Sequence, residues 1–213
     1  IDSDEFFALE VESGEVLWEY RGDAIASITA SMGDGNMYFA DRNVTDAERQ
    51  QALEERIAMT KAGKYQEREG ILEELAQWKA KREKEIADNG ESSRDTEYML
   101  ESLRSELLAA EHEDGALELE DLDIRRVVAV DAVTGQKKWE KVVDLTGCGG
   151  DGLGTVSHDG RLMISGNYGN HDAWRFQLGG MKWRRITMLD GETGELVWSR
   201  PMDYRTRPLI VGD

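Results

Sequence analysis

Cys148, Asp151, His171 and Asp172 carry the side chains for metal or nucleophilic chemistry. A thiolate, an imidazole and carboxylates are ordinary donors for a transition metal. Their spacing argues against one. Neither C-x2-C nor H-x3-H occurs, so no metal site is expected. A nucleophilic Cys148 would need a base within reach. His158 and His171 are the candidates, but His158 follows strand-like sequence beside a turn and reads as a surface residue. Gly147, Gly149, Gly150, Gly152 and Gly154 surround the cysteine and invite a phosphate-cradle reading. No Lys-Ser/Thr follows and no helix starts there, so flexibility or tight backbone packing is the better reading. Trp174 and Trp183 invite a stacking role but read better as anchors of a long loop. Arg175, Arg184 and Arg185 could face an anionic ligand or balance an acidic protein. No catalytic set emerges.

The elements that position these residues repeat. "ALEVESGEVLW" (8–18), "AVDAVTGQKKW" (129–139) and "MLDGETGELVW" (188–198) share one pattern. Apolar residues recur two apart in each first arm, then a polar turn closes on Gly14, Gly135 or Gly194. Trp18, Trp139 or Trp198 follows in the second arm. Each glycine sits where a hairpin wants a positive φ. Residues two apart share one sheet face. "SITASMGDGNMYFAD" (27–41) and "GTVSHDGRLMISGN" (154–167) add a second hairpin, signalled by Asp34-Gly35 and Asp159-Gly160. "RPLIVGD" at 207–213 looks like the start of another such unit. Four antiparallel strands per unit, with a Trp in each, describe propeller blades.

The phrase A-[LV]-[DE]-x-x-[ST]-G-x-x-x-W resembles the repeat of PQQ-like, quinoprotein-type β-propellers. The first two copies fit it; the third departs at Met188. The resemblance implies a mainly β fold, with each Trp docking between blades and each Thr/Ser-Gly turn capping an outer hairpin. It covers PQQ-dependent dehydrogenases, outer-membrane assembly scaffolds and sensor domains. In the dehydrogenases a Trp sandwiches the quinone beside a metal ion and a catalytic Asp, and a vicinal Cys pair often covers it. Here Cys148 precedes Gly149. No cofactor is therefore expected in this segment, and PQQ with Ca²⁺ belongs only to an alternative reading as a piece of an alcohol- or sugar-oxidising quinoprotein. The resemblance also implies an extracytoplasmic setting in bacteria.

Between the second and third strands of one blade lies different material. Residues 1–43 and 124–213 read as blade strands, about three blades and incomplete. Residues 44–123 read as an acidic helical hairpin with coiled-coil-like seams. Thr45 and Glu48 form a capping box, good helix formers follow to Asp88, and Asn89-Gly90 is a stop signal. Gly63 and Gly70 are weak points; unbroken, the helix would span about 64 Å. A second helix is expected from about Ser93 to His112. Ile71, Leu75, Trp78 and Ile86 make one seam, interrupted at Arg82. Leu100, Leu103, Leu107 and Ala110 make the other. The insert holds 23 acidic and 11 basic residues, so 12 of the chain's 18 net negative charges lie in it. The insert, the loop around Cys148 and Asp151, and the loop with His171, Asp172, Trp174 and Arg175 should share one face. Long loops on a rigid scaffold are where function concentrates.

Composition narrows the partners. A net charge of −18 argues against nucleic acid and anionic membranes. No apolar run reaches the roughly 18 residues of a membrane span. A protein partner or further blades are expected, with self-association through open strand edges or the arm as a further possibility.

Overall fold

The computed structural model describes residues 2–66, 70–106, 122–148, 153–166, 184–202 and 208–211. One antiparallel sheet runs in chain order through β1 (Asp2–Leu9), β2 (Val16–Gly33), β3 (Asn36–Asp41), β4 (Ile124–Asp131) and β5 (Lys137–Asp144). A second holds β6 (Leu153–His158), β7 (Arg161–Gly166), β8 (Arg184–Asp190) and β9 (Leu196–Met202). The repeated hairpins keep one register: Ala8 faces Trp18, Ala129 faces Trp139 and Met188 faces Trp198. Asp34 and Asp159 turn their hairpins at φ of 53° and 49°, each followed by a positive-φ glycine. Short Asx side chains tolerate that region better than most.

The later half of β2 with β3, β4 and β5 makes one four-stranded blade; β6 to β9 make the next. β1 and the start of β2 supply an outer hairpin before them. The two sheets do not close into a ring. Tyr38, Ala40, Val127, Ala129 and Leu145 of the first blade pack against Leu153, Leu162, Ile164 and Leu189 of the second. Ile25, Phe39, Val128 and Val130 form another core under Phe6, Trp18 and Tyr20 of the outer hairpin.

Two features differ from the sequence reading. First, β2 is one strand of 18 residues that serves both the hairpin and the following blade. Ile25 and Ala26 pair on one side with Ser3 and Asp2 and on the other with Asp41 and Ala40. The Asp41 carboxylate accepts the N–H groups of Asp23 and Ala24 at 3.0 and 3.1 Å, and holds this stretch extended. Thr29 donates to the Ala26 carbonyl and accepts from the Ala40 N–H, which satisfies the irregular step before Ser31. Second, the "RPLIVGD" stretch forms no strand at 208–211; Ile210 packs instead beside Met163, Ile186 and Met188.

The insert forms α1 (Asp46–Lys61), α2 (Ile71–Asn89) and α3 (Arg94–Glu106). Thr45 and Glu48 make the full capping box. The long first helix breaks where glycine permits it. Gly63 and Gly70 take φ of 72° and 74°, and Gly90 ends α2 at φ 84°. α2 and α3 form the hairpin, packed through Ile71, Leu75, Leu100, Leu103 and Trp78. The gap at Arg82 is filled by an ion pair to Glu97 at 2.6 Å. Leu107 and Ala110 lie outside the described residues. α1 is not part of a projecting arm. Its Ala52 and Leu53 bury against Leu122, Ile124 and Val142, beside β5.

Candidate functional site

The Trp repeats form the seams between blades. The Trp18 indole N–H donates to the Ala132 carbonyl at 3.1 Å, and that of Trp139 to the Gly191 carbonyl at 2.9 Å. Each ring lies on the glycine of the following turn. A Cβ on Gly135 would stand 2.6 Å from Cγ and Cδ2 of Trp18; one on Gly194, 2.6 Å from Cε3 of Trp139. Glycine is therefore required twice over, by positive φ and by the ring above it.

The acid of the repeat has a role that the spacing alone did not reveal. Asp131 accepts the N–H groups of Val133 and Thr134 and the Thr134 hydroxyl. Asp190 does the same with Glu192 and Thr193. Glu10 takes the Ser13 N–H. Hydrogen bonds from Thr134, helped by those from Val133 and Lys138, hold the Asp131 carboxyl down at about 2. The signal was present: an acid three residues before Thr or Ser is a turn that caps itself.

On the loop-rich face a buried polar seam joins the insert to both blades. Arg56 of α1 pairs with Asp144 of β5 at 2.9 Å, with side chains 1% and 3% exposed. The other Asp144 oxygen accepts the Thr146 N–H at 2.9 Å. Arg125 is held by Asp123 at 2.7 Å. Tyr65 lies between two guanidinium groups, 4.7 Å from Arg56 and 3.9 Å from Arg185. Arg185 also donates to the Gln66 carbonyl at 2.9 Å. Backbone bonds complete the junction: Gln66 N–H to Ser199 O at 2.9 Å, and Ser199 N–H to Lys64 O at 2.8 Å. The Lys64–Gln66 stretch thus covers part of the open edge of β9 in a parallel bridge. A cavity of about 340 Å³ lies beside this junction, lined by Arg56, Met59, Lys64, Tyr65, Lys141 and Leu196 among others. Of these residues the sequence reading singled out Arg185, which the structure sets against Tyr65 and the Gln66 carbonyl; Arg56 and Tyr65 drew no attention because they sit in a run of charged helix formers.

Of the residues singled out for the functional face, Cys148 is placed. It is fully buried, 3.4 Å from the Thr187 hydroxyl. Burial pushes its thiol up to about 12, against a smaller downward pull from the Thr187 contact. A thiol so held is not a nucleophile at neutral pH. Asp151, His171, Asp172, Trp174 and Arg175 lie outside the described residues, as does Trp183. His158 ends β6 at an exposed turn. Among the described residues no group of three or more His, Cys, Asp or Glu could hold a metal ion.

Comparison with known proteins follows the same lines. Residues 2–186 match the PQQ-like family model described as outer membrane protein assembly factor BamB. The chain belongs to that PQQ-like β-propeller family. No curated protein matches the chain. Among solved structures, a europium-containing methanol dehydrogenase is similar at a TM-score of 0.37 and 11% identity. That match covers 92% of this chain and 21% of the enzyme, so the chain spans about a fifth of its length.

Among the described residues the tryptophan rings are engaged within the fold. The Trp18 and Trp139 indoles are fixed in the seams by their N–H bonds. Trp78 lies on α2 with the Lys81 ammonium 4.3 Å from its ring centre, and Trp198 has the Arg200 guanidinium over it at 5.4 Å. No described helix is long and apolar enough to cross a membrane.

Proposed function

We propose that this PQQ-like propeller segment is a non-catalytic binding or scaffolding module, with the helical insert and the loop-rich face as its partner surface. One observation carries the reading. The insert is held to both blades, through the buried Arg56–Asp144 ion pair on one and the Gln66–Ser199 backbone bond on the other. Polar groups so engaged are structural, and they make the insert a fixed attachment with the acidic α2–α3 hairpin as its outward product. Its net charge suits a protein partner with a basic surface, since electrostatic complementarity sets partner choice and on-rate. The extracytoplasmic setting implied by the family repeat belongs to the same proposal.

Site-specific photo-crosslinking from Lys79, Glu83 and Glu91 in cells tests it. A discrete protein adduct, lost when Glu73, Glu74, Glu83 and Glu91 are changed to Lys, is expected. Calorimetric titration with PQQ and Ca²⁺ is the counter-test. Micromolar quinone binding with dye-linked alcohol or sugar oxidation would overturn the non-catalytic reading.

A further inference from the structure

Where α1 ends, the chain leaves the first blade and crosses to the second. Ala52 and Leu53 seat the helix against Val142 of β5, and Lys64–Gln66 then bonds to the backbone of Ser199 on β9. The crossing leaves a gap. This is the cavity of about 340 Å³, walled by the later turns of α1, by β5 and by the turn that leads into β9. A volume of this size lies at the small end of the range for small-ligand sites.

The lining is of two kinds. Val143, Leu189, Leu196 and Met59 give it apolar surface. Exposed side chains of both signs stand with them: Lys64 and Lys141, Glu55 and Glu195. Glu55 accepts a side-chain amide N–H of Gln51 at 3.1 Å. Among the described residues Lys64, Lys141 and Glu195 have no ion-pair partner. The blade seam itself places Lys141. A Cβ on Gly194 would stand 2.9 Å from its Cγ, so its stem lies along the turn of the next blade, one residue from Glu195. Lys141 and Glu195 thus come from two blades to one mouth without closing on each other. With the buried Arg56–Asp144 pair, the lining holds three cations and three anions. Such a balance gives no preference for a ligand of net charge. It suits a molecule that carries both charges on an apolar body.

We propose that this cavity binds an apolar α-amino acid as its zwitterion. The carboxylate meets Lys64 and Lys141, the ammonium meets Glu195 and Glu55, and the side chain enters among Val143, Leu189, Leu196 and Met59. The ligand then touches α1, β5 and the β8–β9 hairpin together. The site is separate from the partner surface proposed on α2 and α3 and stands without it.

NMR on the 213-residue chain, isotope-labelled at its methionine methyl groups, tests this, with the Met59 signal assigned from Met59→Leu. L-Phenylalanine and L-leucine are the probes. Either should move the Met59 signal saturably, with a Kd of about 1 mM or below. The signal of Met99, buried on α3, should stay in place. Phenylpropionate and phenylethylamine keep the ring and one charge each, and should bind at least about fivefold more weakly than phenylalanine. The variants should cross. Glu195→Gln weakens phenylalanine about two- to fivefold and leaves phenylpropionate unchanged; Lys141→Gln weakens phenylalanine by a like factor and leaves phenylethylamine unchanged. Both residues are exposed, so neither change disturbs the core. A Met59 signal that neither amino acid moves up to about 10 mM overturns the proposal. So does a single-charge analogue that binds as tightly as phenylalanine, or native affinity in both variants.

Discussion

Replacing Gly135 by alanine probes a blade seam, and the same change at Gly14 is its control. Both glycines sit at left-handed φ, 71° and 72°, so each alanine carries backbone strain of about 1–2 kcal/mol. Their surroundings separate them. At Gly14 the new methyl meets nothing within 4 Å, whereas at Gly135 it falls 2.6 Å from two ring carbons of Trp18. The indole has to move out to an ordinary contact of about 3.5–4.0 Å. That shift breaks the 3.1 Å bond from Trp18 Nε1 to the Ala132 carbonyl. Its loss costs about 1 kcal/mol net, and the disturbed aromatic packing about 1 kcal/mol more. Gly14→Ala should therefore cost about 1–2 kcal/mol and Gly135→Ala about 3–4 kcal/mol. Gly194→Ala should resemble Gly135→Ala, since Trp139 sits over it in the same way. Urea unfolding, followed by circular dichroism and Trp fluorescence, measures all three. Protein is kept dilute enough to have the mass of one chain, because association would add its own stabilisation. Equal losses for the three variants, within about 0.5 kcal/mol, would refute the idea that the rings and not the turns set the cost.

Three further outcomes are expected. Asp144→Ala should cost about 3–5 kcal/mol by leaving Arg56 buried without its counter-charge, and adding Arg56→Met should recover much of it; a single-variant loss below about 1 kcal/mol contradicts the burial argument. Cys148 should resist alkylation in the folded chain at about pH 8 and react fully once unfolded, because burial keeps its thiol protonated; labelling at native rates without unfolding contradicts this. The Asp131 carboxyl, held at about 2, contributes stability that is complete above the ordinary carboxylate range and is lost as pH falls toward that value. Carbon NMR should show that titration, and Asp131→Asn should flatten the acid limb of the unfolding midpoint; a normal carboxylate titration contradicts the turn-cap assignment.

Much of the β architecture was legible because it is local. Eleven residues suffice to specify a turn glycine, its acid and a Trp two strand positions from the next cross-strand pair. Asp34-Gly35 and Asp159-Gly160 are equally local, and both turn as their composition requires. The helix breaks were half legible: Gly63 and Gly70 were visible as weak points, but only tertiary packing decides whether a weak point yields. Here the stretch between them pairs with Ser199, which repays the loss of helical bonds. What could not be read depends on distant partners. Arg56 looks like any surface arginine until Asp144 is placed beside it. The continuity of β2 depends on Asp41 reaching back to Asp23 and Ala24. The loop with His171, Asp172, Trp174 and Arg175, and Asp151 beside Cys148, lie outside the described residues.

The bridge between Tyr65 and Ser199 has a consequence for the order of events on the ribosome. Its partners lie 134 positions apart in a chain made from the amino end. At about 5–20 residues per second, α1 and Lys64–Gln66 exist for roughly 7–27 seconds before β9 is synthesised. The β9 edge should then meet a strap that is already made. Pulse-labelled hydrogen exchange during refolding should find the Gln66 and Ser199 amides protected together, after the Trp139 hairpin; early protection of Gln66 would reverse the sequence. The insert of one blade thereby covers part of a strand edge of the next.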